Sequence, residues 1–363
     1  MRIALFGSSL VSAYWNGAAT YYRGLLRALA ARGHHITFYE PDAFERQQHR
    51  DMADPEWARV VVFPADDIGL FRALEDAQGA HVIVKASGVG VYDAELEAGL
   101  LDLRRPSSIV IFWDVDAPAT LERMHTDPTD RLRPLVPRYD LILTYGGGEP
   151  VMREYAALGA RACVPIYNAL DVTTHFPVAP EVRFTADLSF IGNRLPDREA
   201  RVEEFFLAPA AALPERRFLL GGNGWADKPM TANVDYLGHV YTADHNAING
   251  SARAVLNINR ASMARYGFSP PTRIFEAAGA GACIVSDAWT GIELFLEPNA
   301  EILTARTGEE VAEHVRALDE RRAQAIGQAA LARIRAEHTY DHRAAQVETL
   351  LTGDRVEPAR IAV

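Results

Sequence analysis

The chain opens on a run of strand character, RIALF at 2–6, and the spacing of its apolar positions then changes period repeatedly. Residues 20–32 (TYYRGLLRALAAR) put Leu25, Leu26 and Leu29 on one helical face, and Gly33 supplies the stop. HITFYE (35–40) returns to a strand, and AHVIVK (80–85), SIVIF (108–112) and DLILT (140–144) repeat the theme. Strands alternating with amphipathic helices imply βαβ crossovers and hence a parallel sheet.

After residue 163 the pattern lapses into an irregular, proline-bearing stretch, VPIYNALDVTTHFPVAPEVRFTA, and then restarts. DLSFI (187–191) is a fresh first strand, continued by RFLLG (217–221), DYL (235–237), AVLNI (254–258) and CIVS (283–286). Helices are expected over 198–206, 244–251, 272–280, 308–318 and 324–338. The economical reading is a second complete α/β unit, and this doubling is the only repeat. The expected domains are 1–165 and 166–335. A helix near 336–351 crosses back to the first domain, and 352–363 forms a tail.

Length and composition agree with this division. At 363 residues, 48% hydrophobic and 23% charged, the chain suits two globular domains. The net charge of −11 argues against a general nucleic-acid binder. The two cysteines, Cys163 and Cys283, lie far apart in apolar segments, as buried free thiols of a reducing compartment would. No stretch approaches the roughly 20 apolar residues of a spanning helix, and the N-terminus lacks signal-peptide features. A cytoplasmic protein is expected, with peripheral association at the inner face of a membrane left open. Only Lys85 and Lys228 of the 37 basic residues are lysine, so any phosphate-binding cation should be arginine.

Four segments carry candidate chemistry. Gly7 and its two following serines, with Gly17 just before the first helix, form small-residue turns that suit a phosphate or merely tight packing. WDVD (113–116) ends a strand, where ligands of open parallel sheets bind. Asp114 and Asp116 there are candidates for substrate contact, for a general base, or for a helix cap. IGNRLPDR (191–198) presents Gly192, Asn193, Arg194 and Arg198 where a strand gives way to a helix, and guanidinium plus helix dipole is the chemistry of diphosphate binding. A solvated helix start capped by Asp197 is the plainer alternative. In FSPPTRIFEAAGAGACIVSD (268–287) paired prolines open a helix so small-sided that its backbone must pack closely on something. Arg273 and Glu276 share one face of it, either as a salt-bridged pair or with Glu276 accepting ribose hydroxyls. The histidines, His34, His239, His245 and His338 among them, show no metal-ligand spacing, and no metal site is expected.

These segments together resemble the GT-B glycosyltransferases, in particular the CgeB-like group (spore-maturation-protein type) related to the large retaining family 4. The resemblance rests on GSSLVSAYWNGAATYYRGLLRALAARGHHITFYEPD, YNALDVTTHFP, DLSFIGNRLPDRE, VDYLGHV with LNINR, and SPPTRIFEAAGAGACIVSDAWTGIELFLE. It implies two Rossmann-like doubly wound parallel-sheet domains facing each other across a cleft. The second domain would bind a nucleotide-diphosphate sugar, usually a UDP-sugar, as co-substrate. The first would hold an acceptor of unknown class: glycan, lipid, protein or small molecule. By the same resemblance Glu276 meets the ribose, Arg194 and Arg198 meet the diphosphate, and the backbone at His239 and Val240 meets the base. Asn259 lies in the loop facing it, and neither metal nor other cofactor is implied. Family 4 enzymes carry a second glutamate eight positions before the first, and here Phe268 stands in its place. The implied activity is sugar transfer with retention of anomeric configuration; the rivals are an epimerase or hydrolase of the same fold and a non-catalytic sugar-nucleotide binder.

Overall fold

The computed structural model describes residues 1–14 and 16–353, apart from the side chain of Ser262. Residues 354–363, most of the expected tail, lie outside the described residues. The chain divides into two compact units: residues 1–167 with the final helix, and residues 168–339.

The first unit begins β1 (Arg2–Phe6), α1 (Ala19–Ala31), β2 (His35–Asp42), β3 (Ala58–Pro64) and α2 (Asp67–Asp76). It continues β4 (Val82–Ala86), α3 (Asp93–Asp102), β5 (Ile109–Asp114) and α4 (Ala117–Thr126). β6 (Leu141–Thr144), α5 (Gly148–Ala157) and β7 (Cys163–Pro165) complete it. The seven strands pair in parallel in the order β3-β2-β1-β4-β5-β6-β7. A parallel sheet is covered on both faces, so its central strands bury almost every residue, and β4 buries all of its own. β4 does so even at Lys85, whose Nζ donates to Asp93 Oδ1 and to the Ala86 carbonyl, each at 2.7 Å.

The second unit runs β8 (Ala186–Ile191), α6 (Glu199–Val202), a π-helical turn at Glu203–Leu207, α7 (Ala208–Ala212) and β9 (Phe218–Gly221). Next come β10 (Val234–Gly238), α8 (Thr242–Ser251), β11 (Ala252–Asn257), α9 (Ala261–Tyr266) and α10 (Thr272–Gly279). β12 (Ile284–Asp287), β13 (Leu303–Ala305), α11 (Gly308–Ala317) and α12 (Glu320–Glu337) close the unit. Its six strands are also all parallel, in the order β10-β9-β8-β11-β12-β13. Leu188, Phe190, Phe206, Phe218, Trp225, Leu256 and Val285 are among the fully buried residues of its core.

α13 (Tyr340–Thr352) returns to the first unit and lies on α1. Its seat is Gly24, where a Cβ would come within 2.2 Å of the Tyr340 ring. Two parallel α/β sheets are therefore what the alternation of strand and helix periods implied. The helix expected over 198–206 is instead broken into α6, the π-helical turn and α7. The reason is a neighbour: a Cβ on Gly308, at the start of α11, would lie 1.9 Å from the Glu204 carbonyl oxygen. That close approach falls at the bulge, where the backbone departs from regular α geometry.

Candidate functional site

In a doubly wound sheet the crossovers diverge on either side of one strand pair, and a crevice opens at the carboxyl edge there. In the second unit that pair is β8 and β11. The loops leaving these strands hold Gly192, Asn193, Arg194 and Arg198 on one side and Asn259 on the other.

Glycines let the three neighbouring loops interlock. Gly192 donates its N–H to the Gly221 carbonyl at 2.9 Å, and Gly222 donates to the Gly238 carbonyl at 2.7 Å. Gly222 sits at φ +120°, and a Cβ on it would be 2.3 Å from the Gly192 oxygen. Asn193 Oδ1 accepts from the Asn223 N–H at 2.9 Å, while Arg194 donates its N–H to the Asn223 carbonyl at the same distance. Trp225 is fully buried and its Nε1 donates to the Gly192 carbonyl at 2.8 Å. The loop edge is thus held by its own backbone. Val240 reaches over Gly221, where a Cβ would be 2.6 Å from Val240 Cγ2. His239 is exposed beside it, its ring edge-on to Tyr241.

The arginines divide into two kinds. Arg194 Nη1 donates to Asp227 at 2.9 Å and its Nη2 to Glu199 at 2.7 Å, and Lys228 shares Glu199. Its charge is already answered by carboxylates. Arg198 and Arg273 are different: among the described residues neither forms an ion pair, yet both guanidinium groups converge on Gly192. A Cβ there would be 3.2 Å from a terminal nitrogen of each. Arg273 Nη1 donates to Asn257 Oδ1 at 3.3 Å, its Nη2 to the Ile191 carbonyl, and its guanidinium lies 5.0 Å from the Phe190 ring centre. Burial first, and then the charge of Arg198, push the pKa of Arg273 down to about 10. Burial likewise lowers that of Arg198, whose Nε is buried and has no hydrogen-bond partner. Two half-buried cations that no carboxylate pairs among the described residues, with Asp197, Glu276 and Asp287 acting on them only from a distance, make an anion-binding corner at the switch point of a parallel sheet.

β11 and β12 brace the other wall. Asn259 is buried; its N–H donates to Asp287 Oδ1 at 3.1 Å, and its Nδ2 is buried without a partner. Asp287 is held by Arg201 at 2.6 Å, an ion pair that no spacing in the sequence signals. Arg260 Nε donates to Asp197 at 2.6 Å; Arg198, and not Asp197, stands at the N-cap of α6, and it makes no side-chain cap hydrogen bond.

α10 carries Arg273 and Glu276 one turn apart, and they form no ion pair with each other among the described residues. Glu276 instead meets His175 and His245, with one ligand atom from each of the three lying within 4.8 Å of the others. The smooth side of the helix explains how: a Cβ on Gly279 would be 2.3 Å from Leu170 Cδ1 and 3.2 Å from the His175 carbonyl. The connector therefore lies directly on α10. Burial lowers the pKa of His245, against the pull of Glu276. His175 and His245 stand far apart in sequence, so only the fold reveals the cluster. Phe268, in place of the family's other glutamate, takes a left-handed φ of +46° and packs on Gly291.

In the first unit the Gly7 turn is closed upon itself. Ser9 Oγ and the Leu10 N–H donate to the buried Glu40 carboxylate, and Ser8 Oγ donates to Asn16 Oδ1. Gly17 is exposed just before α1, with open space where its Cβ would be. Asp114, fully buried at the end of β5, receives Ser87 Oγ (2.8 Å), Thr120 Oγ1 (3.0 Å), the Asp116 N–H (3.0 Å) and Tyr155 Oη (2.6 Å). Four donors occupy its two oxygens. Asp116 is exposed at the N-cap position of α4, where its side chain makes no cap hydrogen bond.

The fold is that of the GT-B glycosyltransferases: two parallel-sheet α/β units of seven and six strands. Residues 198–349 match the family described as glycosyl transferase-like, so this segment, less than half of the chain, is glycosyl transferase-like in sequence. Sucrose-phosphate synthase of Thermosynechococcus elongatus is similar in structure (TM-score 0.71, 14% identity, 97% of this chain and 98% of that one). HepE of Anabaena in complex with UDP-glucose is similar too (TM-score 0.67, 15% identity, 97% and 100%). So is an alpha-glucosyltransferase in complex with UDP-glucose and DNA containing an abasic site (TM-score 0.71, 14% identity, 97% and 99%). No curated protein matches the sequence. No helix among the described residues is long and apolar enough to cross a membrane.

Proposed function

We propose that the chain is a metal-independent, retaining glycosyltransferase that moves a sugar from a nucleotide-diphosphate donor, a UDP-sugar first among them, to an acceptor held by the first unit. The observation that carries this reading is the convergence of Arg198 and Arg273, neither in an ion pair among the described residues, on Gly192 at the switch point of the second sheet. The family match across 198–349 and the UDP-glucose complexes of two structural neighbours support it. So does the CgeB-like resemblance of the sequence.

The chemistry follows from charge. As the sugar leaves, negative charge gathers on the departing diphosphate, and donors already fixed around it stabilise that state most. Arg198 and Arg273 meet the diphosphate, with the Gly192–Asn193 backbone beside them. Arg194, neutralised by Asp227 and Glu199, positions this loop rather than touching the donor. Glu276 accepts the ribose hydroxyls, and the His239–Val240 backbone borders the base. A retaining reaction asks for no dedicated protein base, which agrees with Phe268 in the place of a glutamate. Were the reaction inverting, Asp116 would be the base, because the oxygens of Asp114 are already occupied by four donors.

Incubating the protein with UDP-sugars, with and without candidate acceptors, and identifying the products tests the reading. Transfer that requires an acceptor supports it. Conversion of the donor alone points to the hydrolase or epimerase reading, and binding without any conversion points to the non-catalytic one.

A further inference from the structure

His175, on the connector, His245 on α8 and Glu276 on α10 bring two imidazoles and a carboxylate to one point of the second unit. We propose that these three side chains bind a divalent transition-metal ion of the zinc class, and that this ion and a nucleotide donor compete for Glu276. The competition rests on the donor reading above; the metal site does not.

The donor set is the first argument. Two histidines and one glutamate form a three-ligand zinc set that leaves a fourth position for water. Bonds of about 2.0–2.1 Å place tetrahedral ligands roughly 3.3 Å apart. The three ligand atoms here lie within 4.8 Å of one another, so small side-chain rotations close the site.

The second argument is independent of proximity. His175 is only 4% exposed, and its Nε2 is buried with no hydrogen-bond partner. A buried polar atom left without a partner is costly and calls for an explanation. Its other nitrogen, Nδ1, lies 2.9 Å from Thr174 Oγ1. With the proton on Nδ1, that contact fixes the ring and leaves the Nε2 lone pair for an ion, the arrangement in which an outer partner orients a ligating histidine. Asn246 Nδ2 donates to the Thr174 carbonyl at 2.9 Å and so ties α8, the helix of His245, to the same connector. Gly279 sets the depth of His175 above α10. An ion held there takes the carboxylate that the ribose hydroxyls would use. Metal and donor are then alternatives, and the ion would slow transfer rather than drive it.

Titrating the full chain with Zn²⁺ in the absence of nucleotide reads the site by itself. One ion per chain is expected. His175→Ala and His245→Ala should each weaken binding by at least about 100-fold, the upper end of what losing an outer partner costs. Co²⁺ bound to the unaltered protein should show the strong visible absorption of a tetrahedral ion, a readout that does not depend on how a variant folds. Undiminished zinc affinity in the doubly substituted protein, or a cobalt spectrum of the solvated octahedral ion, overturns the site. Adding a UDP-sugar to the zinc-loaded chain should release the ion. Zinc and nucleotide bound together would overturn the competition, while zinc binding by a chain that takes up no nucleotide would uphold the metal site and remove the donor reading instead.

Discussion

Arg198 and Arg273 carry like charge into a half-buried corner, and Gly192 is where they meet. The sequence made Arg194 and Arg198 equally suited to a diphosphate, since both follow a strand and enter a helix. What separates them is the presence of Asp227 and Glu199 around Arg194, and Asp227 lies on a loop that no local pattern brings near. Arg273 was visible as a candidate, but its direction toward Gly192 and away from Glu276 was not. A second residue-level effect lies in the first unit. Glu97 is buried, and burial pushes its pKa from 4.5 to about 7, against the pull of Lys85 and Arg123 and with the push of Asp93 and Asp130. The folded state therefore holds a proton that the unfolded chain releases above about pH 4.5. This contribution to stability is complete below that pH and is lost as pH rises toward 7. Thermal unfolding of Glu97→Gln across pH 4.5–7 should show a shallower fall than the unaltered protein. An identical slope would mean that Glu97 titrates normally.

At the scale of elements, the strands with continuous apolar runs were legible, and the edges were not. β3 buries only Phe63 and leaves its other positions half-buried or exposed, as an edge strand does, and so reads weakly. β7 and β13 have three residues each, too short for a period to show. The broken helix after β8 was hidden for another reason, because its bulge answers to Gly308, a hundred residues onward by chain. Glycines that let loops interlock were equally silent as chemistry. The prediction here concerns Gly222, whose φ of +120° and 2.3 Å approach to the Gly192 oxygen leave no room for a methyl group. Gly222→Ala should cost about 2–3 kcal/mol, lowering the melting temperature of the second unit by roughly 5–10 °C. An unchanged melting curve would show that the loops are not locked as described.

For the whole molecule, the doubling of the α/β pattern was the most legible feature, and the chain paths between the units follow from it. The return of α13 to the first unit depends on burial that sequence periodicity only hints at. Tyr340, Ala344, Val347 and Leu351 are buried there, and Tyr340 joins Tyr21 in an edge-on pair with centres 6.1 Å apart. At about 1.5–3 kcal/mol for each large apolar side chain, removing the helix takes away an amount comparable with the whole stability of a domain. A chain ending at Thr339 should lose the cooperative unfolding of the first unit while keeping that of the second; two intact transitions by calorimetry would contradict this.

The central claim is that this corner, formed by Arg198 and Arg273, receives the diphosphate of a nucleotide sugar. Titration calorimetry of UDP and UDP-sugars against the unaltered chain, Arg198→Ala, Arg273→Lys and Arg194→Ala tests it directly. The account predicts binding to the unaltered chain and a loss of roughly tenfold to a hundredfold in the first two variants, the weight of one or two charge-assisted hydrogen bonds. Arg194→Ala should bind within a few fold of the unaltered chain. No binding of any nucleotide sugar to the unaltered chain, or a greater loss at Arg194 than at Arg198 and Arg273, would contradict it.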